Sequence, residues 1–168
     1  MAPLLRWLLP ALGITVALYA LWVEYKKACE KAGGEKFEAL CDIKGVGSCS
    51  DVLMSEYGHI LSKWGLCPAG TAFDVPNPVL GIIFYLLVAL WPLADRRAVL
   101  AASTGSLVFS AYLAYILAVE LKDFCIVCVS SYVINLAIFA AELREFSAVA
   151  APAAAPAEKK KRAAKKAD

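Results

Sequence analysis

Four uninterrupted apolar runs dominate this chain: Leu8–Val23, Pro78–Ala94, Ala98–Val119 and Phe124–Ala141, of 16, 17, 22 and 18 residues, none with an internal Lys, Arg, Asp or Glu. A helix needs roughly 17–25 such residues to cross a bilayer. A chain of 168 residues cannot build a soluble core large enough to cover four helices that are apolar on every side. The mean hydropathy of +0.64 and the charged fraction of 19%, against about 25% for soluble domains, follow from these runs. An ordinary soluble domain, a disordered chain and a coiled coil are thereby excluded. The expectation is an all-α membrane protein, a four-transmembrane-helix bundle. Arg6 before the first run superficially fits a signal peptide, but Glu24-Tyr25-Lys26-Lys27-Ala28 lacks a small-x-small cleavage site, so this run reads as a retained span.

Charge orients the bundle. With both termini on one side, that side carries ten Lys or Arg and five acidic residues, and the other carries seven basic and ten acidic ones. The positive-inside rule places both termini in the cytoplasm. The 54-residue segment 24–77 then forms a lumenal cap loop on a folded unit spanning residues 1–146. Within it, Glu24–Leu40 reads as a helix continuing out of the first span, with a kink or stop at Gly33-Gly34. Ser50–Lys63 reads as a short amphipathic helix with Val52, Leu53, Ile60 and Leu61 inward, and 65–78 reads as irregular. Residues 147–168 are Ala-, Pro- and Lys-rich with no apolar face to bury, and read as a disordered basic cytoplasmic tail. Lys165 and Lys166 match a dilysine retrieval signal, which points to the endoplasmic reticulum membrane. The tail has no interleaved aromatics, so anionic lipid or a sorting receptor suits it and nucleic acid does not.

All six cysteines, Cys29, Cys41, Cys49, Cys67, Cys125 and Cys128, fall on or beside the lumenal side, which argues for disulfide chemistry. Their spacings do not choose among the fifteen complete pairings. Metal binding is not expected, because the Cys41–Cys49 spacing is too long for a zinc knuckle and His59 is alone. The sharpest local signal is Cys125-Ile126-Val127-Cys128 at the start of the fourth apolar run. Cysteines at i and i+3 share a helix face and can bridge. At a membrane boundary such a pair is accessible to soluble thiols on one side and to a lipid-soluble oxidant on the other. Cys128 and Tyr132 are four apart and share a face, and a Tyr hydroxyl inside an apolar span needs a partner. Asn77 directly precedes Pro78, the pattern of a helix N-cap, although its amide can also serve a ligand.

Taken in order, Ala39-Leu40-Cys41-Asp42, Ser48-Cys49-Ser50, Pro76-Asn77 with Gly81-Ile82-Ile83-Phe84-Tyr85, Tyr112-Leu113-Ala114-Tyr115-Ile116-Leu117, and Asp123-Phe124-Cys125-Ile126-Val127-Cys128 with Tyr132 and Asn135 resemble the vitamin K epoxide reductase family over residues 10–142. The resemblance implies a quinone pocket in a four-helix bundle under a lumenal cap. It implies an enzyme that reduces vitamin K epoxide to quinone and quinone to hydroquinone with dithiol electrons, of the disulfide-forming, warfarin-sensitive type, with no tightly bound cofactor. By resemblance, Cys128 faces the substrate and Cys125 pairs with it. Cys49 attacks that disulfide, Cys41 resolves Cys49, and a thioredoxin-fold lumenal partner supplies electrons at Cys41.

The same resemblance puts Asn77, Tyr132, Phe84 and Leu53 at the substrate and gives Ser55 a role in orienting the cap; Asn135, on the same side of its helix as Cys128, reads as helix–helix glue before a ligand contact and is kept as a pocket candidate. Leu53 stands where an aromatic is expected. Cys29 and Cys67 do not match the family pattern, and the simplest expectation is a structural disulfide between them. Other readings are a general quinone-dependent disulfide-forming oxidoreductase acting on a thioredoxin-fold protein, and a non-enzymatic tetraspan scaffold stapled by disulfides.

Overall fold

The structure, a computed structural model, describes residues 3–90 and 95–164. It is all-α: α1 (Pro3–Lys31), α2 (Cys49–Leu53), a 3₁₀ turn (Glu56–Gly58), α3 (Ile60–Lys63), α4 (Asn77–Ala89), α5 (Arg96–Tyr115) running into a π turn (Ile116–Glu120), and α6 (Ile126–Ala164). Among the described residues, three helical stretches are long and apolar enough to cross a membrane: Arg6–Lys31, Arg96–Glu120 and Ile126–Ala148. The chain is a multi-pass membrane protein. The second apolar run is described as a helix only over Asn77–Ala89, 13 residues, or about 20 Å at 1.5 Å per residue. That falls short of the ~30 Å hydrocarbon core, and the end of the run, 91–94, lies outside the described residues.

The bundle holds together through two stacked clusters. One comprises Ala17, Tyr85, Val88, Val99, Ile134 and Ile138 from α1, α4, α5 and α6. Here Gly13 of α1 lets the Tyr85 ring lie flush, since a Cβ at Gly13 would stand 2.5 Å from the ring. The second cluster joins the bundle to its cap: Ala20, Val23, Ala39, Cys41, Cys49, Leu53, Leu117, Cys125 and Val127. Outward-facing Leu8, Leu12, Leu18, Ile83, Val108, Val133 and Leu136 are exposed, as helices solvated by lipid require.

The extension of α1 ends at Lys31, short of Leu40 and at the Gly33-Gly34 break expected from the sequence, because Gly33 takes a left-handed φ of 95°, which glycine adopts without a Cβ clash. The cap departs from the sequence expectation in its next helical segment. Ser50–Lys63 is not one helix but three short turns. Ser55 and His59 are both outside helical geometry, and Gly58 sits so tightly on the Leu53 carbonyl that a side chain there would collide with it. Residues 65–76 are irregular, as expected. The backbone of α6 stays helical through the Ala/Pro segment as far as Ala164, where composition argues for disorder from 147. Ala, Lys, Arg and Glu are strong helix formers.

Candidate active site

Cys125 occupies the position immediately before α6, and the Cys128 N–H donates to its sulfur at 3.2 Å. The two cysteines are joined in a disulfide with Cα atoms 5.3 Å apart. One helical turn supplies this spacing, and the unpaired N–H groups of a helix start favour negative charge on sulfur. Cys125 is fully buried, whereas Cys128 is half-buried and lines a cavity.

Behind the disulfide lies a second pair, Cys41 and Cys49, as free buried thiols. The Cys49 thiol donates to the Cys41 carbonyl at 3.3 Å. Sequence chemistry brings them together through Asp42. Its carboxylate accepts the Ser50 N–H at 2.9 Å, the Ser48 hydroxyl at 3.1 Å, the Ala39 N–H at 3.3 Å and the Ser50 hydroxyl. The intervening chain folds back in a tight turn, with Ile43 and Gly47 exchanging backbone hydrogen bonds and Gly45 at φ 80°. Burial alone would raise the Asp42 carboxyl, but these donors together outweigh it and hold the group below the usual carboxylate range. Burial pushes the Cys41 thiol up to about 12, and the Cys49 side chain adds to the effect.

The cavity, about 480 Å³, is bounded by α1, α4, α5, α6 and the cap. Of the residues singled out from sequence, it gathers Cys128, Tyr132, Asn135, Asn77, Phe84 and Leu53. Its wall is predominantly apolar with a few polar groups, the usual composition of a site for an apolar small molecule. The Tyr132 hydroxyl meets no hydrogen-bonding side chain among the described residues. Asn135 donates to the Ser110 hydroxyl at 2.9 Å, bridging α6 to α5, while its own carbonyl oxygen is buried without a partner. Trp64 of the cap packs edge-on against Phe109 and donates to the Tyr112 hydroxyl at 3.4 Å. It thereby seats the cap on α5.

Asn77 is the first residue of α4, not its N-cap, which is Pro76. Its amide ties the cap down instead: the oxygen accepts the Ile60 N–H at 3.1 Å and the nitrogen donates to the Tyr57 carbonyl at 2.6 Å. One amide hydrogen remains for a ligand. Ser55 lies outside the cavity wall, at the joint between α2 and the 3₁₀ turn, with its hydroxyl on the Val52 carbonyl at 2.7 Å. The expected Cys29–Cys67 bridge is not formed, and both are free thiols. Cys29 shares the outward face of α1 with exposed Tyr25, one turn earlier. Cys67 lies in the irregular segment of the cap, three residues before the turn that Asp74 closes on the Gly70 N–H at 2.9 Å. Among the described residues, no group of three or more His, Cys, Asp or Glu side chains is placed to hold a metal ion.

Sequence reasoning missed the residues that position the thiols. Asp42, Ser48, Ser50 and Asp123 stand inside the motifs but drew no role, and Gly47 passed unnoticed. The readable signal was a carboxylate followed at six and eight residues by two serines flanking a cysteine.

The model of the Vitamin K epoxide reductase family matches residues 4–143. The chain is 36% identical over 143 residues to "Vitamin K epoxide reductase complex subunit 1" of Mus musculus, covering 80% of this chain and 84% of that protein. It is 36% identical over 142 residues to the protein of the same name from Rattus norvegicus, covering 78% and 82%.

Proposed function

The chain belongs to the vitamin K epoxide reductase family, and from that membership we propose that it is a membrane thiol–quinone oxidoreductase that reduces vitamin K epoxide to quinone and quinone to hydroquinone. The observation that carries this reading is the arrangement of two cysteine pairs beside one apolar cavity. An oxidised Cys125–Cys128 pair has Cys128 on an apolar cavity, and a reduced Cys41–Cys49 pair is packed in the same cluster as Cys125.

In this reading the Cys49 thiolate attacks the Cys125 sulfur and Cys128 departs as a thiolate facing the cavity. Cys41 then displaces Cys125 from Cys49, leaving Cys125 and Cys128 reduced and the loop pair oxidised. Reduction of the epoxide consumes two thiols and gives quinone, water and the Cys125–Cys128 disulfide. Reduction of the quinone consumes two thiols and gives hydroquinone and the same disulfide. Tyr132 and the free amide hydrogen of Asn77 donate to the substrate oxygen as it gains negative charge. Phe84 and Leu53 pack the ring, and a hydroxycoumarin such as warfarin competes for the same space.

A lumenal thioredoxin-fold dithiol protein restores the loop pair at Cys41, so the same cycle forms a disulfide in that partner. Exchange is reversible and its direction follows potentials. The topology that goes with this reading has four crossings, with α4 as the shortest, both termini cytoplasmic and the protein in the endoplasmic reticulum membrane.

The test uses purified protein in detergent with a dithiol reductant, supplied in parallel with vitamin K epoxide and a simple quinone, both products being followed chromatographically. Turnover of the epoxide that vanishes in Cys128→Ser supports the reading. Cys49→Ser retains turnover with a small dithiol that bypasses the loop. Reduction of the simple quinone alone restricts the function to general thiol–quinone exchange. No turnover of either by folded protein with reduced thiols refutes the enzyme and leaves a stapled scaffold.

A further inference from the structure

Asp123 stands two residues before Cys125, in the turn between the π segment and α6. Its Oδ1 accepts two backbone N–H groups: that of Phe124 at 2.6 Å and, 75 positions away in sequence, that of Ser48 at 3.0 Å. Ser48 is the N-cap of α2 and immediately precedes Cys49. One carboxylate oxygen therefore joins the segment that carries a loop thiol to the segment that carries the disulfide. Gly47 makes the approach possible: a Cβ there would lie 2.8 Å from Asp123 Oδ1 and collide with the Phe124 carbonyl oxygen. Beneath this joint, Cys49 and Cys125 are both fully buried in one cluster with Leu53, Leu117 and Val127. Lys122, next to Asp123, has a φ of 50°, an unfavourable conformation for a residue with a Cβ. Such strain persists where the surroundings over-determine the backbone.

We propose that Asp123 is a positioning residue whose carboxylate docks the start of α2 onto the turn before α6 and so aims Cys49 at the Cys125–Cys128 disulfide. The inference rests on the relay described above. In the step it serves, the Cys49–Cys125 bond forms and the Cys125–Cys128 bond breaks. The electron pair leaves on the Cys128 sulfur, and the proton lost by Cys49 is taken up at Cys128. No outside oxidant or reductant enters. Asp123 touches neither attacking nor leaving sulfur. It acts through Ser48 by fixing the two groups at short range, and loss of such alignment by about an ångström can cost on the order of a hundredfold in rate.

The experiment isolates this one step and needs no quinone. In full-length Cys41→Ser protein the Cys49–Cys125 bond cannot be resolved, and N-ethylmaleimide caps the released Cys128. The cross-linked peptide is then quantified against time by mass spectrometry. Introducing Asp123→Ala is expected to slow cross-linking at least about tenfold, while Asp123→Asn, which keeps the acceptor oxygen, stays within about threefold of the parent. Unchanged cross-linking in Asp123→Ala, or equal slowing in Asp123→Asn, overturns the inference. Absence of any cross-link in the Cys41→Ser parent overturns the relay itself. Should Asp123→Ala not fold, Gly47→Ala wedges the same joint with the carboxylate intact, and unchanged cross-linking there also overturns it.

Discussion

Removing the Asp42 carboxylate tests whether it keeps the loop thiols enclosed. It accepts from the Ser50 N–H at 2.9 Å, the Ser48 hydroxyl at 3.1 Å, the Ala39 N–H at 3.3 Å and the Ser50 hydroxyl. A well-buried hydrogen bond to a charged acceptor contributes about 1.5–3 kcal/mol. Asp42 is only partly buried, so about 1 kcal/mol for each bond is the appropriate scale. Asp42→Ala then favours loop opening by roughly 3–4 kcal/mol, two or more powers of ten in the opening equilibrium.

Cys49 is 0% exposed and reacts only when the loop opens, so site-resolved alkylation by a small maleimide reads that equilibrium. The expected acceleration is about a hundredfold in Asp42→Ala, and about tenfold in Asp42→Asn, which keeps one acceptor. The carboxyl is held below its ordinary range, so its contribution is present above the unfolded value near ~3.9 and is lost as pH falls through the lower folded value. Corrected for thiol ionisation, opening through this group stays flat from about pH 5 to 8 and rises only in stronger acid. Cys49 labelling within twofold of wild type in Asp42→Ala would refute the reasoning.

Other perturbations probe the bundle and the cap. Gly13→Ala drives a methyl into the buried Tyr85 ring, costing about 1–3 kcal/mol of overpacking, and the thermal midpoint in detergent should fall by several degrees. Trp64→Ala removes two ring contacts that seat the cap, each on the order of 1 kcal/mol, and should raise the KM for quinone about tenfold with a smaller loss in kcat. Cys29→Ser with Cys67→Ser should leave the midpoint within about 2 °C, because a bridge that contributed ~3–4 kcal/mol is absent; a drop of several degrees would show that the two are bonded. Burial holds the Cys41 thiol at about 12, above its unfolded range, so loop stability falls as pH rises beyond about 9. Ionisation-corrected labelling of Cys49 should accelerate there.

The helices were legible because lipid imposes a simple condition: a long run without charge has few alternatives to being a helix. Leu8–Val23 falls within α1, Ala98–Val119 within α5 and the π turn that continues it, and Phe124–Ala141 within α6 from Ile126 onward. The cap was harder to read because its shape depends on pairings across long sequence separations. Asn77 reaching Ile60 and Tyr57, and Asp123 reaching Ser48, leave no periodic trace in the sequence. Ser50–Lys63 is amphipathic enough to pass for one helix, but tertiary contacts at Gly58 and Asn77 override that local preference. The cavity wall was legible only through motif order, since spacing alone links Cys128 to Tyr132 but not to Asn77. The unbridged Cys29 and Cys67 show the limit of compartment arguments: sharing a side of the membrane does not bring two sulfurs within reach.

The depth of the four thiol positions constrains how electrons can pass. Leu40 is 89% exposed, yet Cys41 beside it is only 6% exposed, and Cys49 and Cys125 are fully buried. Sulfur next becomes accessible at Cys128, on the cavity. A thiol titrating near 12 carries little thiolate at neutral pH, and the thiolate is the exchanging species. Cys41 in the closed loop is therefore slow toward small oxidants, and in the proposed relay a partner that displaces Leu40 and strains the Asp42 donors removes the burial that suppresses it. Asp42 and Asp123 then have complementary effects on one loop. The first keeps Cys41 and Cys49 enclosed, and in the proposed relay its release admits a partner, while the second ties the start of α2 to the turn before α6.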